Sequence, residues 1–150
     1  MTMPIADGHF IDTNILVYAH LPTSPWHAAA VSKLKTLETM GVELWISRQT
    51  MREYLAAMTK PGVITTPNPA LSLATDVRYF AGRFRIAEDG PAVTTELLNL
   101  VSTIPMGGKQ IHDANIVATM LTHGIPKLLT NNTADFARFA SLITVVPLVP

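Results

Sequence analysis

His9-Phe-Ile-Asp12-Thr-Asn14-Ile-Leu-Val-Tyr-Ala19 is the stretch on which the fold turns. An apolar lead-in of strand character runs straight into Asp12, and the spacing predicts a helix starting within two residues of it. The carboxylate is thereby placed at the carboxyl end of a strand and near the amino end of a helix. In open α/β sheets that is the crevice where ligands bind. The same residues have a plainer use, because Asp and Asn both cap helices well, and on that reading Asn14 is the stronger cap.

Outward from this stretch the pattern repeats. Pro22 and Pro25 keep the first helix short, and Ser24-Pro25 reads as a cap followed by proline at the first helical position. That second helix runs to about Met40, with Gly41 as a left-handed stop. Val42 to Ser47 reads as a strand with Trp45 and Ile46 in its buried part. Ser47 then caps a helix from Arg48 to about Lys60, in which Met51, Tyr54, Leu55 and Met58 recur at core-facing spacing. After a Pro/Thr loop from Val63 to Pro69, Asn68-Pro69 repeats the cap-then-proline signal for a helix to about Gly82. Phe84 to Ala87 is a third strand, and Gly90-Pro91 opens a helix to about Ile104. Pro105 to Gly108 leads into a helix from Lys109 to Thr122, stopped by His123-Gly124. Lys127 to Thr130 is a fourth strand, Asn131 to Ala140 holds a turn and a short helix, and Leu142 to Val146 is the last strand. Strands alternating with helices in this way predict a single α/β domain spanning 1–150. Its three-layer α/β/α arrangement would have a central, mainly parallel sheet of four to five strands and right-handed crossovers.

Composition narrows the function classes. At 150 residues the chain can bury roughly 70% of its unfolded surface. The hydrophobic fraction is 48%, yet no apolar run reaches the ~18 residues of a membrane span. Met1 to Gly8 carries no basic segment followed by an apolar core, so a cytoplasmic protein with no membrane partner is expected. Cysteine is absent, which excludes thiolate metal sites and disulfides. Eleven basic and 11 acidic side chains balance to zero, so the overall field does not draw in a polyanion and any nucleic-acid role needs a local basic patch.

With so few carboxylates, their placement carries weight. Asp12 ends the first strand, Glu53 lies on the helix after the second strand, and Asp113 lies one turn into the late helix. Asp135 follows the fourth strand. Helix amino ends favour acids, and Lys109 can pair with Asp113 at i,i+4. Neither suffices for Asp113, whose helix is apolar nearly all round (Ile111, Ala114, Ile116, Val117, Ala118, Met120, Leu121), so the side chain is expected to be largely buried. A carboxylate cluster repels itself without a cation. Acids converging on one crevice, with no sulfur donor, describe a hard oxygen-ligated site suited to Mg²⁺ or Mn²⁺. His112 beside Asp113 invites a general-base role, but neighbouring helical residues point about 100° apart, which makes it a surface or interface histidine.

These residues resemble the PIN-domain family, and within it the bacterial VapC-type toxins. The likeness is carried by Phe10-Ile11-Asp12-Thr13-Asn14-Ile15-Leu16, by Glu53, by His112-Asp113-Ala114 with Ile116-Val117-Ala118, and by Gly124-Ile125 leading to Leu128 through Phe136. The resemblance implies a metal-dependent endoribonuclease, the toxin of a toxin–antitoxin pair, whose acidic quartet falls on Asp12, Glu53, Asp113 and Asp135. It also implies a homodimer, an RNA substrate and a VapB-type antitoxin whose tail enters the groove. Some members carry an acid directly after the strand threonine, where this chain has Asn131 and Asn132, so the fourth role passes to Asp135. On this reading Asp12, Asp113 and Asp135 hold the ion, while Glu53 ligates a second ion or orients water. Asn14, Thr130 and Asn132 either aim the carboxylates or serve only as cap and turn residues.

Arg48, Arg52, Arg83, Arg85 and Lys109 lie near the motifs as possible RNA contacts. Rival enzymes fare worse. A haloacid-dehalogenase-like phosphatase needs an acid where Asn14 stands, a receiver domain needs an acidic pair where only Asp7 occurs, and Gly-x-Gly-x-x-Gly is missing. The remaining alternative is a non-catalytic PIN-like protein that binds RNA or a partner.

Overall fold

A computed structural model describes residues 7–64 and 69–150. The five described strands are β1 (His9–Ile11), β2 (Leu44–Ile46), β3 (Arg85–Ile86), β4 (Lys127–Thr130) and β5 (Thr144–Pro147). They form one sheet in the order β3-β2-β1-β4-β5, and every pairing is parallel. The helices are α1 (Thr13–Ala19), α2 (His27–Thr39), α3 (Arg48–Met58), α4 (Pro69–Arg83), α5 (Pro91–Thr103) and α6 (Gln110–His123). A 3-10 helix spans Thr133–Phe139.

Strand alternation sends successive side chains to opposite faces. Ile11, Leu44, Ile46 and Leu129 join a core with α1 to α4, including Leu16, Leu34, Tyr54 and Phe80. Phe10 and Leu128 enter a second core with α5, α6 and the 3-10 helix, including Val117, Met120 and Phe136. Both faces are covered, so the central strands are apolar throughout. β1, fully buried, lies in the middle. The chain runs outward from it through β2 and β3 on one side and through β4 and β5 on the other. Loops leaving β1 and β4 therefore flank the crevice at the carboxyl edge.

Local signals place most elements and misplace some ends. Ser47 caps α3, with Thr50 completing the reciprocal box. Gly41 and Gly124 take positive φ after α2 and α6. Three strands are shorter or shifted, because flanking backbone is used by the neighbouring helix. The Val42 N–H turns back to Leu37, that of Phe84 to Phe80, and those of Leu142 and Ile143 to Phe139. The second helix also starts later than expected. The Ser24 hydroxyl accepts from the Trp26 N–H at 3.1 Å and its carbonyl from His27, so a turn intervenes and Pro25 is not helical. Asn68, the expected cap of α4, lies outside the described residues.

Gly124 has φ of 70° with nothing within 4 Å of where a Cβ would stand. Gly124→Ala is therefore expected to cost about 1 kcal/mol through the backbone alone, read as a lowered urea midpoint with unchanged m-value.

Candidate active site

Asp12 is the first residue beyond β1 and keeps its ladder bond, its N–H donating to the Leu129 carbonyl at 3.0 Å. Since Ile11 pairs with Leu129, the next residues, Asp12 and Thr130, stand side by side although 118 positions separate them. The Thr130 hydroxyl donates to Asp12 Oδ2 at 2.8 Å and accepts from the Asn132 N–H at 3.0 Å. Asn14 Nδ2 reaches both Asp12 Oδ2 and Thr130 Oγ1, each at 3.2 Å. Asn14 Oδ1 accepts from the Asn131 N–H at 3.2 Å. The other oxygen, Asp12 Oδ1, accepts from the Thr13 N–H at 2.8 Å. Asp12 itself is thus the cap of α1, and Asn14, the expected cap, instead ties the first motif to the end of β4. Asn132 reaches Thr130 through its backbone, while its side chain is exposed at the pocket.

Glu53 lies one and a half turns into α3. Its Oε2 accepts from the Thr13 hydroxyl at 2.9 Å and its Oε1 from Gln49 Nε2 at 2.7 Å. Asp113, in the first turn of α6, is partly exposed rather than largely buried. The inward residues of α6 are Ala114 and Ile116 to Met120, which leaves Asp113 facing the crevice with no hydrogen-bond donor among the described residues. Asp135 is exposed in the first turn of the 3-10 helix. All four acids line one pocket of about 340 Å³, together with Thr13, Asn14, Tyr18 and Asn132.

The electrostatics follow from that convergence. Burial, reinforced by repulsion from Glu53 and Asp113, pushes the Asp12 carboxyl up to about 6 against the pull of its Thr130 and Thr13 bonds. Asp113 also rises to about 6, first through desolvation, then through Asp135 and Glu53, with Arg138 and His112 partly offsetting. The donor set is wholly oxygen, and the sequence holds no cysteine. It suits a hard dication whose charge compensates the cluster. Among the described residues no three acids or histidines stand close enough together to form a group that could hold an ion.

None of the five basic residues near the motifs lines the pocket. Arg48 pairs with Glu88 at 2.7 Å, Arg83 with Glu38 at 2.6 Å and Arg85 with Glu43 at 3.4 Å. Lys109 makes no ion pair with Asp113 among the described residues. The cation that does act on Asp113 is Arg138, overlooked in the sequence although it follows Asp135 by three residues on a short helix. Thr13 and Gln49 were also overlooked. The available signals were adjacency to Asp12 and the i,i+4 step from Gln49 to Glu53. His112 is exposed, consistent with its position off the Asp113 face.

The sequence pattern of the family described as "PIN domain" matches residues 9–142. Over 132 residues the chain is 29% identical to Ribonuclease VapC24 of Mycobacterium tuberculosis, covering 86% of this chain and 89% of that protein. Among solved structures it is similar to VapBC-1 from nontypeable Haemophilus influenzae, with a TM-score of 0.67 and 17% identity over 95% of this chain and 98% of that one. A toxin–antitoxin complex from Klebsiella pneumoniae aligns with a TM-score of 0.64 and 22% identity over 94% and 98%. No helix among the described residues is long and apolar enough to cross a membrane.

Proposed function

Because the chain belongs to the PIN-domain family, we propose that it is a metal-dependent endoribonuclease acting as the toxin of a toxin–antitoxin pair. The observation that carries this reading is the meeting of Asp12, Glu53, Asp113 and Asp135, from four separate elements, in one pocket at the carboxyl edge of the sheet. The names of the relatives, a ribonuclease and two toxin–antitoxin assemblies, support the substrate class and a VapB-type antitoxin as partner. A homodimer is the proposed free form, with exposed Met40, Leu71, Tyr79 and Leu98 among the apolar side chains to be covered.

Asp12, Asp113 and Asp135 are the residues that would hold Mg²⁺ or Mn²⁺. Such an ion supplies neutralisation of the phosphodiester charge and a water of lowered pKa. The chain's own residues set the stage for it. Thr130 and Asn14 fix Asp12 Oδ2, and the Thr13 N–H fixes Oδ1, so this carboxylate is aimed before any ligand arrives. Glu53, held at both oxygens, would either ligate a second ion or orient an attacking water.

The test is incubation of the purified chain with a mixed RNA pool in Mg²⁺, in Mn²⁺ and in EDTA. Shortened RNA in either metal and intact RNA in EDTA is the expected result. RNA shifted in mobility but uncut in all three would replace the enzyme with a non-catalytic RNA binder. Thr130→Val removes the hydroxyl that joins Asp12, Asn14 and Asn132. It is expected to lower cleavage about 10- to 100-fold and to reduce thermal stability, because the partners left behind lie partly out of water.

A further inference from the structure

Behind the pocket a buried amide joins the two helices that carry Glu53 and Asp113. Gln49, on the first turn of α3, is only 6% exposed. Its Nε2 donates to Glu53 Oε1 at 2.7 Å and to the carbonyl of His112, next to Asp113 on α6, at 2.9 Å. Its Oε1 accepts from Asn115 Nδ2 at 2.8 Å, and Asn115 in turn donates to Asp89 Oδ2 at 3.2 Å. One side chain thereby grips an acid on its own helix and two points of α6 that flank Asp113 in sequence.

We propose that Gln49 is a positioning residue: its amide holds Glu53 in place and sets the spacing between Glu53 and Asp113. This inference rests on reading the pocket as a metal-dependent RNA-cleaving site. An isolated glutamate on α3 swings freely about its side-chain bonds. Here both oxygens are engaged, Oε2 by Thr13 and Oε1 by Gln49. Repulsion acts to drive Glu53 and Asp113 apart, since each disfavours charge on its neighbours. The Gln49 bridge opposes that spread with neutral donors. A lysine or arginine in its place would neutralise Glu53 and compete with a bound cation, whereas an amide orients the carboxylate and leaves its charge available.

The experiment compares wild type, Gln49→Leu and Asn115→Ala. Mn²⁺ binding is followed by titration calorimetry without RNA, together with melting temperature and the KM for RNA at saturating Mn²⁺. Loss of a residue that orients a metal-holding side chain weakens metal binding by 10- to 100-fold. Gln49→Leu is accordingly expected to weaken Mn²⁺ binding about tenfold or more, with KM for RNA changed less than about twofold. Asn115→Ala frees the far end of the bridge but leaves the bond to Glu53, so a smaller shift in the same direction is expected. A purely structural role lowers the melting temperature and leaves Mn²⁺ affinity alone, so unchanged affinity in the folded variants overturns the proposal. If Gln49→Leu fails to fold, Asn115→Ala decides by the same criterion. Wild-type protein that neither binds Mn²⁺ nor cuts RNA overturns this proposal and the parent reading together. Wild type that does both, beside variants of unchanged affinity, overturns this one alone.

Discussion

Asp113→Asn is expected to reduce RNA cleavage by more than about a hundredfold, a larger loss than changing any residue that only orients a metal ligand. Asn keeps the shape of the side chain and removes the charge, so the fall should appear in kcat and in the Mn²⁺ concentration needed for half-maximal rate. The fold should not suffer. Asp113 accepts no hydrogen bond among the described residues, and its ionised form is opposed by burial and by Asp135 and Glu53. In EDTA at neutral pH the variant should therefore melt at or above the wild-type temperature. Lost activity with gained stability separates a metal ligand from a packing residue. A variant that cut RNA at near wild-type rate in Mg²⁺ would remove Asp113 from the site.

Thermal stability without a divalent ion is expected to fall between pH 5 and pH 7.5, whereas the added stabilisation by the ion is expected to grow over the same range. For Asp12 the folded carboxyl titrates at about 6, against a reference value of 3.8. A raised acid pKa means that the native state holds more protons than the unfolded state between these two values. Stability then falls as pH rises through that window, and the penalty is complete above about pH 6. For Asp12, which is 7% exposed, a shift of this size amounts to on the order of 3 kcal/mol. Asp113, less buried, adds in the same direction. In EDTA the contribution of these two acids thus favours pH 5 over pH 7.5. Mn²⁺ binds the deprotonated carboxylates, so its stabilisation is largest at pH 7.5 and shrinks at pH 5, where protons compete. At a hundredfold excess over its dissociation constant a ligand adds about 2.7 kcal/mol. That corresponds to a rise of roughly 5–10 °C for a chain of this length. Melting curves at the two pH values, with EDTA and with Mn²⁺, supply the four numbers needed. A melting temperature indifferent to Mn²⁺ at pH 7.5 would deny the cluster its ion.

How the acids find one another divides cleanly between chain and fold. Residue type and spacing alone located Asp12 at a strand end, Asp113 in an early helical turn and Asp135 just after a strand, because caps, prolines and apolar periods are local signals. The alternation of strands and helices dictated a parallel sheet for the same reason, since a parallel connection requires a crossover. The capping role was misassigned. Asn14 reads as the better cap until β4 arrives beside β1 and offers it Thr130 and the Asn131 N–H, and that choice belongs to strand order. Likewise the apolar composition of α6 predicted a buried Asp113. The packing of α6 against α5 and the sheet instead turns its other residues inward and opens that position to the crevice. The cations near the motifs were visible, but their partners Glu38, Glu43 and Glu88 were not, since each pairing crosses between elements.

The sequence by itself determined which side chains are acidic and on which ends of which elements they fall, through hydrogen bonding and hydrophobic periodicity over a few residues. Only the tertiary structure decided that Asp12, Asp113 and Asp135 line one pocket with Glu53, inside α3, and that Thr13, Gln49, Thr130 and Asn14 hold two of the acids in place. Charge repulsion and burial depend on distances through space, which sheet register sets and chain spacing does not.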